Sequence, residues 1–182
     1  MIRRAVFLDR DGVLNASITR NGTPHPPASV EDLEILPGAI DALRAFRKAG
    51  LLSIVVTNQP DVGAGRQSID RVSVIHEELN KVLPLDGIEV CFHTDVDACD
   101  CRKPKPGMLL RAAARHGLDL SQCYLVGDRW RDIEAGQQVG CTCFFIDYNY
   151  AEKRPEPPFT QVTSLSDASR FILRKATSGF DT

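Results

Sequence analysis

Residues 5–15 read Ala5-Val6-Phe7-Leu8-Asp9-Arg10-Asp11-Gly12-Val13-Leu14-Asn15: four apolar residues in an unbroken run, then two carboxylates at i and i+2, then a glycine. An unbroken apolar run of this length is the pattern of a strand buried on both faces. In open α/β sheets ligands bind beyond the carboxyl ends of the strands. A buried strand that ends in charge therefore marks a site as well as a fold.

The same arrangement recurs downstream. Residues 51–56 form a second buried run and deliver Thr57-Asn58; 88–92 form a third. A fourth, 123–126, delivers Gly127-Asp128 with Asp132 a turn later, and 141–146 is a fifth. Helices alternate with these runs. One is opened by Pro37-Gly38, carries Ile40, Leu43 and Phe46 on one face, and is closed by Gly50. Another covers 69–83, with Val72, Ile75, Leu79 and Val82 at helical spacing and Pro84 as the stop. Further helices are expected from Pro106 to Gly117, over 132–139, and after Ser166 as N-cap. Residues 15–36, with Gly22, Pro24, Pro26 and Pro27, read as a long polar loop.

Strand–helix alternation implies parallel strands with right-handed crossovers, hence an α/β fold with a Rossmann-like, doubly wound, mostly parallel sheet. A single domain is expected over 1–176, with 177–182 a loose tail. Strand and helix consume the stretches from Asp11 to Thr57 and from Thr57 to Lys103, which leaves no room for a separate cap domain. Specificity then falls to loops: 17–31, the turn after Thr57, and the segment before Lys103.

Lysine and arginine total 22 against 24 acids, a net charge of −2. That offers no excess cation to coat a nucleic acid or an anionic membrane, and neither is an expected partner. The apolar run at 5–8 is too brief for a secretory signal or a membrane span. A cytoplasmic protein, acting as a monomer on a small phosphate ester, is the expectation.

Three of the buried runs end in groups that together can do chemistry. Asp9, Asp11 and Asp128 form an all-oxygen cluster of high negative charge, the kind of donor set magnesium takes together with a substrate phosphate. With a cation offsetting the repulsion between carboxylate and phosphate, Asp9 can attack phosphorus and form an acyl phosphate. Asp11 is placed to protonate the leaving oxygen and later to activate water. Thr57 and Lys103 can stabilise the phosphoryl oxygens. An Asp-x-Asp pair alone is a chance feature of many loops; its position after a buried strand, joined to Gly-Asp-x-x-x-Asp after another, gives it weight.

Asp9-Arg10-Asp11-Gly12-Val13-Leu14-Asn15, Thr57-Asn58-Gln59, Arg102-Lys103-Pro104-Lys105-Pro106-Gly107 and Gly127-Asp128 resemble, in order, the four motifs of the haloacid dehalogenase-like phosphatases. The match is closest to the branch of histidinol-phosphate and heptose-bisphosphate phosphatases. The resemblance implies Asp9 as nucleophile, Asp11 as acid/base, and magnesium on Asp9, Asp128 and the main-chain carbonyl of Asp11. It further implies Thr57 and Lys103 at the phosphoryl group, with Arg102, and beside it Asn58, Gln59 and Arg129, contacting substrate. Heptose 1,7-bisphosphate, cleaved at C7, is the substrate it favours. Histidinol phosphate is the alternative, followed by nucleic-acid ends and by a non-catalytic phosphate-binding domain. Two positions depart from the branch: Pro60 stands where many relatives have serine, and the stretch after Asn15 lacks their His-Gly-Tyr-like segment.

A second cluster, Cys91, His93, Cys99 and Cys101, provides two Cys-x-[His/Cys] pairs in the segment that runs into Arg102 and Lys103. Three thiols and an imidazole suit a four-coordinate structural zinc, and the branch also carries zinc on a loop here. The other readings are a disulfide from Cys91 to Cys99 or Cys101, or unconnected thiols. With four protein ligands the zinc would pin the 91–101 loop and activate no water. Cys123, Cys141 and Cys143 read as small core residues; His25, His76 and His116 read as surface or loop histidines without a partner.

Overall fold

The computed structural model describes residues 3–178. Its elements, in chain order, are β1 (Arg4–Leu8), β2 (Ile18–Arg20), β3 (Thr23–His25), α1 (Ala39–Lys48), β4 (Leu51–Asn58), α2 (Pro60–Gly63), α3 (Ile69–Val82), β5 (Gly87–Cys91), α4 (Gly107–His116), β6 (Tyr124–Gly127), α5 (Trp130–Gln138), β7 (Thr142–Ile146), β8 (Thr160–Val162) and α6 (Leu165–Ser178).

β1 is where the chain changes direction. The sheet runs β5-β4-β1-β6-β7-β8, every pairing parallel. The strands that follow β1 are added first on one side of it, then on the other, so β4, β1 and β6 stand together at the switch point. Their runs are buried on both faces because helices cover both. Leu43 and Phe46 of α1, Ile75 and Leu79 of α3, and Ile172 of α6 pack with Val6, Leu8 and Val126. Met108 and Leu109 of α4 and Ile133 and Ala135 of α5 pack with Ala5, Phe7 and Leu125. Each fully buried phenylalanine, such as Phe7 or Phe46, contributes roughly 1.5–3 kcal/mol through area removed from water.

The Rossmann-like, doubly wound sheet and the helices agree with the sequence reading, and the described residues form no separate cap domain. Five details differ. The expected polar loop contains a hairpin, β2–β3, antiparallel about Asn21-Gly22. Both turn residues have positive φ, 51° and 73°, the type I′ geometry that matches strand twist and that Asn-Gly favours. β8 adds a sixth strand at the edge. Val82, expected on the buried face of α3, is 42% exposed. The cap of α6 is Ser164, whose Oγ accepts from the Asp167 amide at 3.1 Å; Ser166 lies inside the helix. α6 also continues through Ser178, two residues into the expected tail, and the remainder of that tail lies outside the described residues. No helix among the described residues is long and apolar enough to cross a membrane.

Candidate active site

Asp9 follows β1, Thr57 and Asn58 end β4, and Asp128 follows Gly127 at the end of β6, so strand order alone brings them to one edge. Lys103 reaches the same point from the loop before α4. Its side chain is 2% exposed and its ammonium meets three acceptors: Asp9 Oδ1 at 3.0 Å, Asp132 Oδ1 at 2.5 Å and the Val56 carbonyl at 2.6 Å. Three donors find three acceptors. Burial opposes its charge, but Asp132 and Asp9 outweigh that and hold its pKa well above the ordinary lysine value. The loop is fastened to β4 by Asn58, whose amide donates to the Lys103 carbonyl and accepts from its N–H, both at 3.1 Å.

Asp9, Asp128 and Asp132 place carboxylate oxygens within 4.8 Å of one another. Three carboxylates and one ammonium leave a formal charge of −2 in a buried pocket. Burial pushes the Asp9 carboxyl up to about 6, Lys103 restraining the rise and Asp132 and Asp11 adding to it. Burial, then Asp9 and Asp132, raise Asp128 well above the usual carboxylate range. Asp128 Oδ1 is buried and has no hydrogen-bond partner among the described residues. An orphaned oxygen in an all-oxygen cluster of charge −2 fits a hard divalent cation, and magnesium suits it.

Gly12 makes this geometry possible. A Cβ there would lie 2.0 Å from Asp128 Oδ2, and the residue has φ +83°, which L side chains rarely adopt.

Asp11 is held differently. Oδ1 accepts from Arg10 Nε at 3.0 Å and Asn15 Nδ2 at 2.9 Å; Oδ2 accepts from Arg10 Nη2 and Gln59 Nε2, each at 2.9 Å. Arg10 is wholly buried, and its remaining Nη1 lies 3.0 Å from His76 Nε2. The expectation of a partnerless His76 is therefore corrected: α3 turns it inward onto Arg10. Burial and the Arg10 charge, offset in part by Asp11, lower its pKa to about 4, so it meets Arg10 as a neutral acceptor.

A cleft of about 210 Å³ opens above these groups. Asp9, Asp11, Asn58, Lys103, Asp128 and Arg129 line it; so do Arg66 and Arg131, which the sequence reading left unassigned, and His25, which it read as a surface or loop histidine. Two expected substrate contacts are elsewhere. Gln59 is fully buried, its amide donating to Asp11 Oδ2 and Thr57 Oγ1, both at 2.9 Å; it braces the floor. Arg102 turns from the cleft to Asp95, 2.8 Å away, and to the His93 carbonyl at 3.3 Å. Arg131 shares Asp95 at 3.1 Å. Thr57 is 1% exposed, its hydroxyl oxygen accepting from the Gln59 amide.

The second cluster also forms. Cys91, His93, Cys99 and Cys101 converge, with Sγ–Sγ separations of 3.7, 3.2 and 3.4 Å and His93 Nδ1 3.3 Å from Cys101 and 3.6 Å from Cys91. Sulfurs around a tetrahedral zinc stand about 3.8 Å apart, from Zn–S bonds of about 2.3 Å. Each of the cysteines is free. Below this cluster Lys105 Nζ binds the carbonyls of Cys99 at 2.8 Å and Ala98 at 3.2 Å. A Cβ on Gly107 would stand 2.3 Å from the Asp100 carbonyl, so the loop is folded tightly onto the start of α4.

Comparison with known proteins adds the family context. Residues 100–168 match the family model described as HAD-hydrolase-like. A D-glycero-beta-D-manno-heptose-1,7-bisphosphate 7-phosphatase of Pseudomonas aeruginosa is 34% identical over 172 residues, 92% of this chain and 94% of the relative. The protein of that name from Escherichia coli K12 is 35% identical over 143 residues, 72% of each chain. Among solved structures, D,D-heptose 1,7-bisphosphate phosphatase from B. bronchiseptica, complexed with magnesium and phosphate, superposes with a TM-score of 0.83 at 27% identity, covering 96% of this chain and 99% of that one.

Proposed function

Because the chain belongs to the family of D-glycero-beta-D-manno-heptose-1,7-bisphosphate 7-phosphatases, we propose that it removes the C7 phosphate of that heptose bisphosphate through an aspartyl-phosphate on Asp9. The protein is a phosphoric monoester hydrolase. The observation that carries the mechanism is the meeting of Asp9 with buried Lys103 and with the orphaned Asp128 oxygen at one sheet edge.

Magnesium, held by Asp9, Asp128 and the main-chain carbonyl of Asp11, would supply the positive charge that lets an anionic nucleophile approach an anionic ester. Asp9 attacks phosphorus and the bond to the C7 oxygen breaks; Asp11, once turned from Arg10 and protonated from solvent, delivers that proton to the leaving oxygen. Asp11 then takes a proton from the water that attacks phosphorus, and Asp9 leaves as carboxylate. Asp11 begins hydrogen-bonded to Arg10, Asn15 and Gln59. It must rotate away from some of these donors to reach the leaving oxygen. Lys103 and the Thr57 hydroxyl hold the phosphoryl oxygens, where charge is spread in the transition state.

A second phosphate on the substrate is supported by the cleft lining, which includes Arg66, Arg129, Arg131 and His25. Zinc in the Cys91, His93, Cys99, Cys101 site acts by position: it fixes the loop that presents Lys103. Turnover of heptose 1,7-bisphosphate, histidinol phosphate and an aryl phosphate, read as released phosphate, tests the assignment. The bisphosphate should exceed the aryl ester in kcat/KM by at least about 100-fold, an advantage of about 2.7 kcal/mol. Equal rates would refute the sugar assignment.

A further inference from the structure

We propose that Tyr150 is a positioning residue for the magnesium site: its hydroxyl fixes Asp128 so that Oδ1 is turned to the cation. The proposal rests on the reading of Asp9 and Asp128 as magnesium ligands and adds a residue that the sequence motifs do not contain.

The two oxygens of the Asp128 carboxylate have unlike surroundings. Oδ2 accepts from the Tyr150 hydroxyl at 2.9 Å and is pressed against Gly12, where even a methyl group would stand 2.0 Å away. Oδ1 is buried and has no hydrogen-bond partner among the described residues. A carboxylate can flip about its terminal torsion, which is broad and two-fold. One donated hydrogen bond from a rigid ring breaks that symmetry, and it does so before any cation arrives. Hydrogen bonds to ligating carboxylates are how metal sites fix ligand orientation.

Tyr150 is itself held. It lies on the segment after β7, where the Tyr148 hydroxyl donates to the Gly12 carbonyl at 3.0 Å and the two tyrosine rings lie 5.6 Å apart. The Ala151 amide donates to the Gly22 carbonyl at the tip of the β2–β3 hairpin, at 3.0 Å, and Glu152 pairs with Arg129. The segment is thus tied to Asp9-Arg10-Asp11-Gly12, to the hairpin and to the start of α5. Tyrosine is suited to the role: its hydroxyl is a donor on a ring with only two torsions.

Tyr150→Phe removes the donor and keeps the ring. Magnesium binding to the substrate-free protein, measured by titration calorimetry, should weaken about 10-fold or more. The magnesium concentration for half-maximal activity should rise by the same factor, with kcat at saturating magnesium within about 3-fold of the parent. In the unmutated protein labelled at tyrosine 13Cζ, the Tyr150 signal should shift along the same magnesium isotherm. This second measurement stands even if the variant folds poorly. Asp128→Asn separates the two levels of the argument. If it binds magnesium as well as the parent, the metal-site reading itself fails. If Asp128→Asn loses binding while Tyr150→Phe binds like the parent, or the Tyr150 signal ignores magnesium, the positioning role is refuted.

Discussion

Gly12 shows how much a single residue can carry. It occupies a positive φ of 83° and admits the Asp128 carboxylate to a place a Cβ would fill. Gly12→Ala should therefore lose magnesium-dependent activity by at least about 100-fold and cost about 1–3 kcal/mol of stability, from strain at φ together with the displaced carboxylate. Urea unfolding and phosphate release check the two parts. His76 gives a pH signature. Its folded pKa, lowered to about 4 by burial and then by Arg10, lies below the 6.5 of the unfolded chain. Between those values the unfolded state binds more protons, so stability is full above pH 6.5 and falls as pH drops toward 4, by at most about 1.4 kcal/mol per unit. His76→Gln keeps an acceptor for Arg10 and removes the titration. The stability difference between parent and variant should shrink as pH falls from 6.5 to 5, and a constant difference would contradict the assignment. At this scale the sequence displayed Asp9, Asp11, Lys103 and Asp128, because strand ends and motif spacing mark them. It hid Arg10, His76 and Tyr150. Arg10 sits between Asp9 and Asp11 yet points inward, and the other two meet the site only through packing across long separations in the chain.

Among elements, the loop carrying Cys91, His93, Cys99 and Cys101 is predicted to be the most metal-dependent. Chelating the zinc, or Cys99→Ser, should speed hydrogen exchange over residues 91–106 and raise KM more than it lowers kcat. Unchanged exchange and kinetics after complete zinc loss would contradict a positional role. The β2–β3 hairpin was legible in principle, since Asn21-Gly22 is a strong turn signal; the prolines around it made the segment look like a loop. Pro24 is tolerated there because a two-stranded hairpin has free edges. β8 is three residues long and follows a proline-rich stretch, too short to show a period. For α6, Ser164 and Ser166 offered the same cap chemistry, and only the turn geometry chose Ser164.

For the whole molecule, alternating buried runs and amphipathic helices were enough to specify a parallel sheet wound on both sides, and strand order then explains why distant motifs meet. β1 lies between β4 and β6, so groups from three parts of the chain share one edge without any dedicated scaffold. The cleft they floor takes its walls from the hairpin, from Arg66 between α2 and α3, and from Arg129 and Arg131 at the start of α5. These loop and rim residues carry no period and were the least visible in the sequence. The central claim is that Asp9 bonds to phosphorus during turnover. Heptose bisphosphate labelled with 32P at the C7 phosphate, mixed with enzyme and magnesium and quenched in acid within one turnover, should leave label on the peptide containing Asp9, removable by hydroxylamine and absent from Asp9→Asn. Phosphate release with no protein-bound label, or label on another residue, would contradict the account.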